Sequence, residues 1–397
     1  MSIVFSLCYN MIEITIMGVF LLKTVRFGII GCGLMGKEFA GAVGRWSHLE
    51  ELCAKPEIIA VCDTNPASLD WFLNRITTIK YKYTDYKELL ANEEIDAIYC
   101  AVPHVLHQQI YVDIINSGKH FMGEKPFGMD MAQNEKIMEA INNHPDSVIR
   151  CASEFPFYPA CQKLIQYIKE GKTGRILEVK AGFCHSSDMN PNKPINWKRV
   201  KEINGEYGCM GDLGLHAEHI PFRLGWVPEN VCAKLSNYIT ERPDGKGGMA
   251  KCETWDNATL VCDTKDSLGN KFPITFEMKR MQPGATNDWY LEVYGMDMSL
   301  RFSTTDPNAF FFTEAMDNEQ AWCRIVVGNK PQIKTATGAI FEFGFADAIL
   351  QMWAAFLWEI EGRELDFGCV RPEETVLSHK LHTAALRSEK ENIIAKL

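Results

Sequence analysis

The chain has 397 residues, enough for two domains that each bury a core. Its 46% hydrophobic and 23% charged residues are those of an ordinary soluble protein, and a net charge of −10 argues against nucleic acid or an anionic membrane as partner. Fourteen cysteines are scattered without a CxxC pair, several inside apolar strand-like runs. That usage fits reduced thiols in a cytoplasmic protein better than a disulfide scaffold or a zinc site, and no metal is expected.

Residues 1–22, MSIVFSLCYNMIEITIMGVFLL, are apolar enough to suggest a leader or anchor. A basic n-region is missing, Glu13 interrupts the apolar stretch, and no small-x-small cleavage site follows. An extra strand, a packing arm, or residues ahead of the functional start is therefore the expectation.

From residue 23 to 151, strands alternate with helices. The strands read TVRFGII, EIIAVCD, DAIYCAVP, HFMGEKP and SVIRCAS, with helix starts and stops at Asn65-Pro66, Asp85 and Gly118. This predicts a doubly wound parallel sheet covered on both faces, with the ligand crevice beyond the carboxyl ends of the strands. The first strand runs straight into Gly31-x-Gly33-x-x-Gly36, with Leu34 and Met35 between the last two glycines. Strand, tight turn and helix start together form a dinucleotide-binding fingerprint, in which the helix N-terminus favours a pyrophosphate. The helix after it reads KEFAGAVGRWSHLEEL, with Phe39, Val43, Trp46, Leu49 and Leu52 on one face. Asp63 ends the second strand, somewhat beyond the usual spacing of about 20 residues, as a long first helix and loop would require. A carboxylate there accepts hydrogen bonds from both ribose hydroxyls and repels a 2′-phosphate. Thr64, Asn65 and Pro66 follow with no arginine, so NAD is favoured over NADP. Asp63 could also cap a helix ahead of Pro66.

Residues 152–397 change character. A helix, PACQKLIQYIKEG, precedes the runs RILEVKAGFCH, NATLVCD, KFPITFEMKR, WYLEVYG, MSLRFS and CRIVVG, and helices return near 341–361 and 372–396. The pattern predicts an α+β domain with a mostly antiparallel, open sheet.

Three segments carry chemistry: AVPHVLH (101–107), GEKPFG (123–128) and GDLGLHAEH (211–219). The first two end strands, which sets Pro103, His104, His107 and Glu124 at the cofactor crevice. Lys125, held extended by Pro126, can hydrogen-bond a substrate hydroxyl. It could equally be an exposed strand-end lysine beside Glu124. Asp212 and His216 share a helix face at four residues apart; a carboxylate beside an imidazole raises its pKa and orients it for acid/base work. Such pairs also occur as surface contacts, and His219 could join them or simply pack. The loop CHSSDMNPNKPINWKR offers His185, Asp188, Trp197, Lys198 and Arg199 to a polyol. Trp255-Asp256-Asn257 and Asn287-Asp288-Trp289 could touch ligand or pack.

The set GCGLMG, VCD, AVPHVLHQQI, INSGKHFMGEKPFG and WKR followed by GCMGDLGLH resembles the Gfo/Idh/MocA family of oxidoreductases, most clearly over about residues 23–222. The resemblance implies an N-terminal Rossmann domain and a C-terminal open sheet that forms a homo-oligomer interface. It also implies hydride exchange between a nicotinamide and a sugar or cyclitol. Lys125, Asp212 and His216 match the family's catalytic trio, with His216, polarised by Asp212, taking the hydroxyl proton. His185, Trp197 and the trio are the expected substrate contacts. Three positions depart from the pattern: His104 replaces an asparagine, His219 an aspartate, and Glu206-Tyr207-Gly208 a glycine triplet. The last would set a tyrosine or carboxylate near the mouth of the site. Some relatives look like glycosidases that oxidise and re-reduce the sugar with NAD kept bound, and a sensor on the same fold is a third class. The intact lysine and histidine weigh against the sensor.

Overall fold

The computed structural model describes residues 22–314, 319–338 and 340–397; the expectations placed on residues 1–21 lie outside them. The first sheet has six strands in the order β3-β2-β1-β4-β5-β6. They are β1 (Lys23–Ile30), β2 (Ala54–Cys62), β3 (Tyr81–Tyr83), β4 (Ala97–Cys100), β5 (His120–Gly123) and β6 (Ile149–Cys151), and every pairing is parallel. The order reverses beside β1, which has β2 on one side and β4 on the other, and that switch point opens the crevice. Five of these strands were expected. The sixth, β3, is a three-residue edge strand of half-exposed residues, too short and too polar to register as an apolar run.

Helices α1 (Leu34–Gly44), α2 (Asp70–Leu73), α3 (Tyr86–Leu90), α4 (His107–Asn116) and α5 (Met131–Asn142) connect the strands. Helix α1 stops at Gly44, earlier than its apolar pattern suggests, and Trp46–His48 form a separate 3₁₀ turn that buries Trp46.

After α6 (Pro159–Lys169) comes β7 (Ile176–Cys184), then α7 (Lys201–Asn204) and α8 (Cys209–Arg223). The strands β8 (Asn230–Ser236), β11 (Asn257–Lys265), β12 (Lys271–Lys279), β13 (Asp288–Gly295), β14 (Met298–Ser303), β15 (Ala309–Glu314) and β16 (Cys323–Val326) build on β7; β9 (Glu241–Pro243) and β10 (Met249–Lys251) form a separate small ribbon. With the terminal β17 (Ala395–Lys396), the main sheet runs β16-β15-β14-β13-β7-β12-β11-β8-β17. Only β7 and β12 pair in parallel; the other pairings are antiparallel, as the sequence pattern predicts. Alternation selects the faces: in β12, Phe272, Ile274, Phe276 and Met278 point inward. Helix α8 lies against that inner face, and α10 (Pro372–Glu391) packs beyond it, so nearly all of α8 is buried.

Helix α9 (Phe345–Ile360) leaves the second sheet and packs on α1 of the first. Its Trp353 enters an aromatic cluster of the first domain, 3.9 Å between ring centroids from Phe39, 5.8 Å from Phe27 and 4.9 Å from Tyr99.

Candidate active site

A cleft of about 750 Å³ runs along the carboxyl ends of the first sheet and is closed on its far side by the second domain. At one end Gly31 sits at φ +95°, where a Cβ would fall 2.4 Å from the Ala101 carbonyl oxygen, so the turn admits only glycine. A Cβ on Gly33 would meet nothing within 4 Å: its backbone faces open space, the room a pyrophosphate needs. Leu34, Met35, Asp63 and Thr64 line the same end. Asp63 accepts the Cys32 amide on one oxygen and the Asn65 amide on the other, both at 2.9 Å. The cap ahead of Pro66 is made by Asn65, whose side chain accepts from the Ala67 amide. These residues fit the adenosine and pyrophosphate half of a dinucleotide.

Two expected dinucleotide contacts are placed otherwise. Gly36 does not line the cleft; a Cβ there would sit 2.7 Å from Gly31 O, so its smallness serves helix–strand packing. His107 is fully buried beneath the loops, with Nδ1 2.7 Å from Pro126 O and Nε2 2.9 Å from Val102 O. It ties together the chain ends of β4 and β5 without reaching the cleft. Pro103 and His104 do line it, His104 through a ring whose Nδ1 meets Asn204 O at 3.1 Å. Glu124 is there too, its carboxylate accepting Tyr99 Oη at 2.7 Å.

At the other end the segments that follow β5 and β12, helix α8 and the turn Trp197–Arg199 bring together Lys125, Arg280, Asp212 and Lys198. Lys125 Nζ donates to Asp212 Oδ1 at 2.9 Å and to its carbonyl oxygen at 2.7 Å. Lys198 Nζ spans both carboxylate oxygens at 2.9 Å, and Arg280 approaches Oδ2 at 3.2 Å. Burial would protonate Asp212, yet Lys125, Lys198 and Arg280 overcome it and hold the carboxyl well below its usual range. Burial likewise opposes the Lys125 charge, but Asp212 and Glu124 outweigh it and raise its pKa.

His216 corrects an expectation. It is not hydrogen-bonded to Asp212, whose carboxylate is drawn toward the three cations; its Nδ1 lies 2.9 Å from Ser153 Oγ. Burial first, then the Lys125 charge, hold the imidazole well below its ordinary pKa, so it stands neutral instead of being raised by a carboxylate. Trp289 is fully buried, stacks on Phe155 and donates Nε1 to His216 O at 2.7 Å, so this tryptophan is a support for the site. Asn287, two residues earlier, lines the cleft.

Other expectations also shift. Tyr207 turns away from the mouth and bonds Thr383 Oγ1 at 2.7 Å, while Glu206 is exposed and pairs with Lys201. His219 packs near Phe367, and both its ring nitrogens lack partners among the described residues. Trp197 lines the cleft, whereas His185 lies in an adjoining cavity. Lys198 was visible only as one of several polar loop residues. Arg280, Ser153 and Glu154 carried no local signal at all. Glu154 lines the cleft at 6% exposure, and burial pushes its carboxyl up to about 7. Among the described residues, no group of three or more His, Cys, Asp or Glu side chains is arranged to hold a metal ion.

Comparison with known proteins gives this geometry a family. Residues 25–149 match the oxidoreductase family with an NAD-binding Rossmann fold, and residues 161–301 match the GFO/IDH/MocA C-terminal domain. An uncharacterized oxidoreductase of Synechocystis is 30% identical over 226 residues, covering 56% of this chain and 58% of its own length. The levoglucosan dehydrogenase of Pseudarthrobacter phenanthrenivorans is 27% identical over 228 residues, covering 57% and 58%. The matched stretch therefore spans less than two thirds of either relative. A solved levoglucosan dehydrogenase complex with NADH superposes with a TM-score of 0.81 at 20% identity, covering 94% of this chain and 99% of that one. An oxidoreductase domain protein from Kribbella flavida gives 0.84 at 19% identity over the same shares. With an NAD-binding Rossmann sheet followed by the matching C-terminal sheet, the chain belongs to the GFO/IDH/MocA family of oxidoreductases.

Proposed function

We propose that the protein is an NAD-dependent dehydrogenase acting on a carbinol carbon of a sugar or cyclitol. The observation that carries this reading is Lys125, Asp212 and His216 on one wall of a cleft that ends in the glycine turn and Asp63. A nicotinamide bound there supplies a hydride acceptor or donor; the rest of the chemistry falls to side chains.

The open backbone at Gly33 and the free amides at the start of α1 would take the pyrophosphate. Asp63 would take the ribose hydroxyls on its remaining lone pairs and exclude a 2′-phosphate, which favours NAD over NADP. Lys125, kept charged by Asp212, donates to the substrate oxygen and stabilises negative charge on it. With Nδ1–H donating to Ser153 Oγ, His216 presents Nε2 as an acceptor that would take the proton of the substrate hydroxyl. Asp212 positions Lys125 here; it does not polarise His216.

Support for the substrate class comes from the levoglucosan dehydrogenases among the relatives and fold neighbours. The uncovered face of the second sheet, where Trp322 and Val326 stand exposed at the β16 end, is the surface through which copies would associate. The described cysteines are all free, which suits the cytoplasm, and no described helix is long and apolar enough to cross a membrane.

One observation favours a second reading. Glu154, a carboxyl near pKa 7 in the cleft, could remove a proton beside an oxidised carbon, as a redox-assisted glycosidase requires. A screen at 340 nm with NAD or NADP and a panel of aldoses, inositols, sugar acids and anhydrosugars separates the two. NADH accumulating with one class establishes the dehydrogenase. Bound NAD with sugar cleaved and no net NADH would replace it with the glycosidase.

A further inference from the structure

Beside the cleft, and sharing Trp197, Lys198 and Asp212 with it, lies a second cavity of about 190 Å³. Its other walls are His185, Ser187, Asp188, Lys193, Asn196 and Arg280. The carboxylates facing it are already engaged. Asp212 is held by Lys125, Lys198 and Arg280, while Asp188 takes Lys193 at 3.3 Å and also Arg199. Behind them, Arg199 reaches the fully buried Asp256. Arg242 adds a further guanidinium, bonded to the carbonyl oxygens of Asp188 and Asn190 at 2.6 and 2.7 Å.

The charges do not balance. Lys193, Lys198, Arg199, Arg242 and Arg280 meet three carboxylates, Asp188, Asp212 and Asp256. Lys125 adds a sixth cation, but Glu124 lies on its cleft side and offsets it there. His185 contributes none, since burial holds its imidazole down to about 4. Lys198 feels the excess: burial, with Lys125 and Arg280 beside it, lowers its pKa despite two contacts to Asp212. An incoming anion would relieve that potential without breaking an existing pair.

We propose that this cavity takes the carboxylate of the substrate, which makes the substrate a sugar acid of the hexuronate type. This rests on the dehydrogenase reading above. The carboxylate sits against Lys193 and Lys198, with Ser187 and Asn196 offering hydrogen bonds, while the carbon to be oxidised reaches the cleft past Asp212. These ammonium groups give a carboxylate charge-assisted hydrogen bonds that a neutral hydroxymethyl group does not receive.

The test uses the full chain loaded with NADH. Calorimetry compares D-glucuronate and D-galacturonate with D-glucose, D-galactose and D-glucose 6-phosphate. The hexuronates are expected to bind at least about tenfold tighter than the parent sugars. That margin narrows as salt is raised and falls below about threefold in Lys193→Ala, while Lys193→Arg retains it. Lys193 has 43% of its side-chain surface exposed, so its loss should not compromise folding. Parent sugars binding as tightly, a sugar phosphate outbinding the hexuronates, or no sugar binding to a chain that does hold NADH would each overturn the proposal. Failure to bind NADH would instead overturn the dinucleotide reading beneath it.

Discussion

The two ends of the cleft are built from different materials. The dinucleotide end is mostly backbone: a glycine turn, an open amide surface at Gly33, and Asp63 accepting two amides. The opposite end is a lattice of largely buried ion pairs drawn from α8, the 185–199 loop and the segments that follow β5 and β12. Backbone sites are specified by short contiguous segments and cost little to desolvate. Buried charges are different, since each depends on partners far away in sequence and becomes a liability once one is removed.

The strongest challenge to that contrast is Arg199→Ala. It strips the buried Asp188 and Asp256 of a shared guanidinium and should cost about 3–5 kcal/mol in denaturant unfolding. A loss under about 1 kcal/mol would mean the lattice tolerates vacancies, and the contrast would fail. Next, Lys125→Met and His216→Ala should each lower turnover by about 100-fold or more, with NADH binding close to wild type by fluorescence titration. Variants that remain active would move the chemistry elsewhere in the cleft.

Glu154 sharpens the comparison through pH. Burial raises its carboxyl from 4.5 to about 7, so between those values the folded chain keeps a proton that the unfolded chain releases. Its contribution to stability is full below about pH 4.5 and is lost as pH rises toward 7. Glu154→Gln should therefore flatten the decline in unfolding free energy across that window, gaining about 1–3 kcal/mol at pH 8. A parallel pH profile for the variant would show that the carboxyl ionises normally. The smallest effect is expected at the backbone end: Asp63→Ala should shift the NAD-to-NADP preference by roughly tenfold, and an unchanged ratio would remove Asp63 from ribose recognition.

The same division explains what could be read in advance. The glycine turn, Asp63, Lys125 and the Asp212–His216 helix each lie within a few residues of their own structural cue, and all four sit where the strand and helix pattern puts them. The partner of His216 was misread because four-residue spacing shows that two side chains share a face, not which neighbour wins. Lys198 and Arg280 win Asp212 by approaching from other elements. Arg280 follows a β-strand that looks like any other, and Ser153 and Glu154 follow a short strand with no motif. The AVPHVLH segment points His107 to the cleft and the departure from the glycine triplet points Tyr207 or Glu206 to its mouth, yet His107 turns inward to two carbonyl oxygens and Tyr207 to a hydroxyl of α10.

Helix α9 has a bearing on how the chain comes to be folded. Trp353 is 1% exposed and completes the aromatic cluster of Phe27, Phe39 and Tyr99, so residues near the start of the described chain share a core with a side chain more than 300 positions later. During synthesis the first sheet emerges long before that tryptophan is made, and it must wait with an apolar flank uncovered. The last eighth of the chain thus acts as a clasp. Ribosome-bound chains truncated before residue 345 should remain protease-sensitive in the first domain, and release of the full length should close both domains in one cooperative step.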